Sequence, residues 1–170
     1  MPEIIPAVIP KSFNELEEKV KLVEVFVKTV QIDVMDGIFV NNKTWDRPED
    51  LEKIKTGILF EAHIMVAEPR SILNRWLASP KVCRIILHWE SNGVMTDAVG
   101  LSSKIHARGK QFGLALNPET PLAVLDDCLG NFDLVLLMGV CPGFAGQAMK
   151  PEVVSRIMAL RRKRPNIKIE

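Results

Sequence analysis

A chain of 170 residues, 47% hydrophobic and 25% charged, is long enough to bury one substantial core and too short for two comfortable domains. Its formal net charge of +1 gives no long-range field for nucleic acid or an anionic membrane, so any anion it recognises must be held by local geometry. The N-terminus Met1-Pro2-Glu3-Ile4-Ile5-Pro6 has no basic region or signal-length apolar run, and no stretch approaches the ~20 apolar residues of a membrane span, which reads as a soluble, cytoplasmic protein.

Short β-rich runs alternate with helical patterns along the chain. Ile4 to Ile9 is followed by the helical stretch Phe13 to Phe26, and Val30 to Val34 by a short helical segment, Pro48 to Lys55. Leu59 to Val66 precedes Pro69 to Leu77, and Val82 to Trp89 precedes Thr96 to Arg108. Gln111 to Leu116 leads to Pro121 to Leu129, Asp133 to Met138 to Pro151 to Lys163, and a last run is Ile167 to Glu170. Proline opens four of the helical segments, where the missing N–H costs nothing. The rhythm predicts six βα units and the start of a seventh strand, hence an α/β parallel sheet. Periodicity alone admits two architectures, an open doubly wound sheet or a (β/α)8 TIM barrel apparently truncated after six βα units; the four-residue final run favours one incomplete barrel domain over residues 1–170. The basic run Arg161-Arg162-Lys163-Arg164 is expected to complement the negative end of the preceding helix.

The three cysteines, Cys83, Cys128 and Cys141, show neither CxxC spacing nor an even count. Cys83 reads as a small core residue, and Cys141 lies in a loop with no neighbouring base to activate it.

Polar residues at the C-terminal ends of parallel strands point to a functional face. In Val30-Gln31-Ile32-Asp33-Val34-Met35-Asp36-Gly37, strand alternation puts Gln31, Asp33 and Met35 on one face and Ile32 and Val34 on the other. His63 and Met65 end the third strand, His88 and Glu90 the fourth, Asn117 follows the fifth, and the loop Gly143 to Gly146 follows the sixth. Taken singly, a strand-end aspartate is also a turn cap, a buried histidine also a hydrogen-bonded structural residue, and Pro142-Gly143 also a plain turn. An inward Met35 or Met65 is equally core filler.

Three stretches together resemble the ribulose-phosphate 3-epimerase family: Gln31-Ile32-Asp33-Val34-Met35-Asp36-Gly37, His63-Ile64-Met65, and Pro142-Gly143-Phe144-Ala145-Gly146-Gln147. The resemblance runs through Leu114-Ala115-Leu116-Asn117-Pro118 to the closing Ile169-Glu170. It implies a TIM barrel that interconverts ribulose 5-phosphate and xylulose 5-phosphate. Inverting the carbon beside a ketone removes a proton from one face and returns one to the other, which requires two opposed acid/base groups around an enediolate. On this resemblance Asp33 is one such carboxylate and also a metal ligand, His63 is an imidazole ligand, and a divalent ion of the zinc, iron or manganese class carries enediolate charge. Substrate contacts are implied for Ala7, Met35, His63, Met65, Gly143, Phe144, Ala145 and Gly146, where the glycines let backbone N–H groups approach a phosphate. The implied partner is a small phosphorylated ketose, with neither nucleic acid nor membrane, and a homo-oligomer is compatible with the pattern.

The chain departs from the family in three places. Gln31 stands where the family has its first histidine ligand, and a neutral amide oxygen is a poor donor to imidazole-preferring ions, so metal affinity should fall. Ala7 replaces a substrate-touching serine. The partner acid of the family's Ile-Glu-Val-Asp-Gly-Gly run would lie two residues past Glu170. Asp36 points opposite to Met35 and cannot replace it. His88 is a candidate replacement ligand or proton source, although a histidine there is ordinary in the family without being a ligand. Three other readings follow: an epimerase for another ketose phosphate such as a hexulose phosphate, a non-catalytic sugar-phosphate-binding paralogue, and a decarboxylase or aldolase of the same superfamily. The last fits least, because no lysine pairs with Asp33 in an Asp-x-Lys array.

Overall fold

The computed structural model describes residues 2–126 and 128–170. Among the described residues, seven strands run in chain order through one parallel sheet: β1 (Ala7–Val8), β2 (Thr29–Met35), β3 (Leu59–Met65), β4 (Val82–His88), β5 (Gln111–Leu116), β6 (Leu134–Leu137) and β7 (Lys168–Ile169). Each strand pairs in parallel with its sequence neighbour, and the connections hold, among the described residues, four α-helices: α1 (Phe13–Val23), α2 (Arg70–Ala78), α3 (Ala98–His106) and α4 (Glu152–Lys163). Chain-order parallel pairing with helices as crossovers is barrel topology rather than the reversing strand order of a doubly wound sheet.

One face of the sheet builds the main core. Ile32, Val34, Phe60, Ile64, Ile85, Leu87, Phe112 and Leu114 point outward and pack against Leu16 and Val20 of α1, Leu73 and Trp76 of α2, Leu101 and Ile105 of α3, and Val153 and Leu160 of α4. Burying each such side chain is worth roughly 1.5–3 kcal/mol. Trp76 is fully buried and donates its indole N–H to Asp46 at 2.7 Å, satisfying its one polar group.

The other face is the barrel interior and carries three kinds of side chain. A polar row runs across four strands in register, Gln31–Glu61–Arg84–Gln111. Above it Ile86, Ala115 and Leu134 form a small apolar cluster, and near the strand ends Met35 and Met65 pack with Val40. Gly113 makes room in the second layer, since a Cβ there would meet Ile86 at 2.9 Å and Leu134 at 3.0 Å.

Five strands fall within the expected runs with shorter ends, β5 matches its run Gln111 to Leu116, and β2 extends one residue beyond Val30 to Val34 at each end. β1 keeps two residues of the run Ile4 to Ile9 because Pro6 and Pro10 flank it without N–H donors, although the Pro6 carbonyl still accepts the Gln31 N–H at 2.9 Å. The helical segments need more correction. The stretch expected as helix to Phe26 ends at Val23, where β-branched Val23, Val25 and Val27 weaken the helix. Pro48 to Lys55 is a 3₁₀ turn, Pro48–Lys53, too short for an α-helical nucleus. Thr96 to Arg108 starts as a 3₁₀ turn, Met95–Asp97, because Asp97 caps α3 by accepting the Gly100 N–H at 3.2 Å. Pro121 to Leu129 is not an α-helix: a 3₁₀ turn spans Leu122–Leu125, a second spans Leu129–Asn131, and Asp127 lies outside the described residues.

The basic run occupies the last turn of α4, at the negative end of the helix, and ties that end to the segment that follows. Arg161 donates to the carbonyls of Pro165 and Ile167 at 2.6 Å each, and Arg162 to Met158 O at 3.3 Å.

Candidate functional site

Alternation along β2 turns Gln31, Asp33 and Met35 into the barrel, while Ile32 and Val34 join the outer core. Register places Asp33 beside His63 and Met35 beside Met65. A cavity of about 420 Å³ opens on this interior, lined by Ala7, Gln31, Asp33, His63, Met65, Gly143, Phe144 and Ala145, and also by Cys141 and Glu170. Of the expected site residues, Met35 sits behind this wall, packed with Met65 and Val40, and Gly146 lies outside the lining.

Three side chains meet at the wall. Gln31 Nε2 donates to Asp33 Oδ1 at 2.7 Å and faces His63 Nδ1 at 3.4 Å, while His63 Nδ1 stands 3.0 Å from Asp33 Oδ1. Gln31 Oε1 is buried without a hydrogen-bond partner. A carboxylate oxygen, an imidazole nitrogen and an amide within this distance have the donor chemistry of a weak three-donor cation site. Among the described residues, no three His, Cys, Asp or Glu side chains meet as a metal cluster.

Behind His63 the polar contacts continue. His63 Nε2 and His88 Nε2 are 2.8 Å apart, and His88 Nδ1 is 3.2 Å from Glu90 Oε2. Glu90 Oε1 accepts from the Asn117 N–H at 2.9 Å and from the Thr120 hydroxyl. Burial pushes His88 down to about 4, against the Glu90 hydrogen bond that favours its cation. For Glu90 burial works upward, but the bonds from His88, Thr120 and Asn117 outweigh it and hold the carboxyl below its ordinary range.

Asp36 takes the structural role of a turn cap. Its Oδ1 accepts from the N–H groups of Ile38 and Phe39 at 2.8 Å each, and Oδ2 from Ala67 N–H at 2.8 Å. Burial alone would raise its pKa, and these three donors pull it below the ordinary value instead.

The mouth is formed by two loops. Gly143 has φ +120°, and a Cβ there would also meet Val40 at 3.3 Å; Gly146 has φ +77°. Both conformations favour glycine. Asn42 donates its side-chain amide to Gly143 O at 2.6 Å, and Thr44 Oγ1 bridges the Asp33 carbonyl (2.8 Å) and the Met35 N–H (2.9 Å). Sequence reasoning missed Asn42 and Thr44, whose partners lie on other segments; the polar run Asn41-Asn42-Lys43-Thr44 between two elements was the available signal. Cys83 is half-buried rather than part of the core, donates to Phe60 O at 3.3 Å, and partial burial pushes its thiol up; Cys141 is exposed.

Comparison with known proteins identifies the lineage. The family model described as the ribulose-phosphate 3 epimerase family matches residues 3–170, and the chain belongs to that family of enzymes. Ribulose-phosphate 3-epimerase of Mycobacterium tuberculosis is 34% identical over 166 residues, covering 95% of this chain and 69% of the relative. The Synechocystis enzyme of that name is 35% identical over 161 residues, with 93% and 69% covered, and ribulose-phosphate 3-epimerase 2 of Cupriavidus necator is 37% identical over 161 residues, with 93% and 65% covered. Among solved structures, the GH18 chitinase ChiB of Flavobacterium johnsoniae superposes with a TM-score of 0.53 at 13% identity, covering 96% of this chain and 65% of the chitinase, a likeness of fold alone. Among the described residues no helix is long and apolar enough to cross a membrane.

Proposed function

We propose that this member of the ribulose-phosphate 3-epimerase family acts on ribulose 5-phosphate, exchanging the proton on the carbon beside its ketone through an enediolate, with Asp33 as one of the two opposed acid/base groups that inversion to xylulose 5-phosphate requires. The carrying observation is the convergence of Asp33, His63 and Gln31 on one wall of a cavity that Gly143, Phe144 and Ala145 of the glycine loop also line. Asp33 is the acid/base group: its carboxylate faces the cavity and removes or returns the proton on its own side. Gln31 orients that carboxylate through the 2.7 Å bond to Oδ1. Met65, with Met35 behind it, gives the wall an apolar surface against the carbon chain, and Ala7 offers no hydroxyl there. Gly143, Phe144, Ala145 and Gly146 would meet the phosphate through backbone groups.

A divalent ion of the zinc, iron or manganese class would be held by Asp33 and His63, with Gln31 as a third donor once its amide turns its buried oxygen toward them. Bound there, it would supply Lewis-acid stabilisation of charge on the enediolate oxygens. A second reading, a sugar-phosphate binder of low metal affinity, is favoured by one observation: the Gln31 amide nitrogen already occupies the Asp33 carboxylate.

The test is hydrogen exchange. With ribulose 5-phosphate in heavy water, the chain loaded with manganese should introduce deuterium at C3. Binding of the sugar phosphate without any wash-in would support the binder and overturn the acid/base assignment of Asp33.

A further inference from the structure

The column Glu90–His88–His63 reaches the cavity wall from behind, and hydrogen-bond arithmetic along it fixes where each proton sits. Glu90 Oε1 receives two donors, the Asn117 N–H and the Thr120 hydroxyl, so the carboxylate is held as an acceptor. His88 Nδ1, 3.2 Å from Glu90 Oε2, therefore carries a hydrogen. His88 is fully buried, with Phe39 against its ring at 5.0 Å, and in a neutral ring the other nitrogen is bare. The 2.8 Å contact between the two Nε2 atoms then requires His63 to donate. The two rings lie 22° from parallel with centroids 4.9 Å apart. A neutral His63 that donates from Nε2 has a lone pair on Nδ1. An independent observation agrees: the atom facing that nitrogen at 3.4 Å is Nε2 of Gln31, a donor.

We propose that Glu90 and His88 are positioning residues that hold His63 in the tautomer with a bare Nδ1 beside Asp33, leaving two acceptors 3.0 Å apart, bridged by the Gln31 amide NH2 group, that draw a divalent cation in its place. This rests on the reading of Asp33 and His63 as ligands, but its first measurement does not. The groups around His63 are Asp33 and Gln31 on the cavity side, His88 behind with Glu90 beyond it, and Glu170, which lines the same cavity and interacts electrostatically with Asp33. Imidazole ligands are commonly oriented by a carboxylate acting on their other nitrogen; here a second imidazole stands between the two.

The test exploits an isosteric change. In Glu90→Gln one position keeps an oxygen for Asn117 and Thr120 and the other becomes an NH2 group facing His88 Nδ1. Two donors cannot share that contact, so His88 moves its hydrogen to Nε2, donates to His63, and forces His63 to carry its own hydrogen on Nδ1. Long-range proton–nitrogen spectra of the chain labelled on its three histidines read this directly. Expected are a bare Nδ1 on His63 in the parent chain, a protonated Nδ1 in Glu90→Gln, and the parent pattern in Glu90→Asp. Manganese affinity should fall by about 10–100-fold in Glu90→Gln and recover in Glu90→Asp. A protonated His63 Nδ1 in the parent chain would overturn the proposal whether or not any variant folds. So would an unchanged tautomer in a folded Glu90→Gln chain. A confirmed tautomer with no manganese bound in the parent would instead remove the metal reading and leave the positioning intact.

Discussion

Glu61 and Arg84 stand opposite each other in the register of β3 and β4, and the Arg84 guanidinium donates to the Glu61 carboxylate inside the barrel while its other nitrogens donate to Gln111 Oε1 at 2.8 and 3.0 Å. Glu61 is fully buried and Arg84 nearly so. Removing one partner strands a buried charge, which costs about 3–5 kcal/mol, whereas replacing both with apolar groups is often neutral or better. Arg84→Leu should therefore lower the urea-derived unfolding free energy by that amount, and Glu61→Leu/Arg84→Leu should recover most of it. A double variant no better than the single would show that the pair supplies more than charge balance.

Glu170 adds a pH dependence to the same row. Burial pushes its carboxyl up to about 8, with the neighbouring Glu61 charge and hydrogen bond acting in the same direction, Asp33 adding to it and Arg84 opposing. The folded state holds this proton more tightly than the unfolded chain, so the stabilisation is complete below 4.5 and is lost as pH rises toward 8. His88 works oppositely, its penalty developing only as pH falls from 6.5 toward 4. Between pH 6.5 and 8 the slope belongs to Glu170. Urea midpoints should fall across that window in the parent chain, and Glu170→Gln should flatten them.

Asp33→Asn keeps the shape of the wall and the hydrogen bond capacity toward Gln31 but removes the base. General acid/base groups each contribute about 10²–10⁴-fold, so deuterium wash-in at C3 of ribulose 5-phosphate should fall by that factor. The near-ultraviolet spectrum should not change. Retained exchange in this variant would move the acid/base role to another residue.

Gln31→His places an imidazole where an amide now spends its nitrogen on Asp33. Manganese or zinc affinity should rise by about tenfold or more, equivalent to about 1.4 kcal/mol. Isothermal titration with each ion checks it, and unchanged affinity would show that position 31 does not face the ion.

The strands and the inward face of β2 were legible because both rest on local patterns: branched apolar runs between breakers, and an alternation that puts Asp33 in with Gln31 and Met35. The helical segments were less legible where ends depend on competition. Asp97 caps α3 and resets its start, and the segment after Pro121 settles into 3₁₀ turns that no periodicity distinguishes from a short helix. The motif residues Asp33 and His63 could be named in advance, but the contact between His63 and His88 could not. Their partners are set by register and rotamer across β3 and β4, and a histidine reads the same in sequence whether its nitrogen meets a cation, a carbonyl or another ring.

The bond from Asn42 to Gly143 joins positions 101 residues apart, whereas Gln31, Asp33, His63, His88 and Glu90 all lie within three consecutive strands and the turn that follows them. Loop-closure entropy separates these two parts of the same site. During synthesis the floor is complete in sequence once the chain has passed Glu90, long before the Gly143 segment that closes over it exists. The polar floor is thus built from contacts of short sequence separation, and the bond from Asn42 to Gly143 that ties the covering loop down is the entropically costlier closure, which places that loop among the last parts of the site to order as the chain folds.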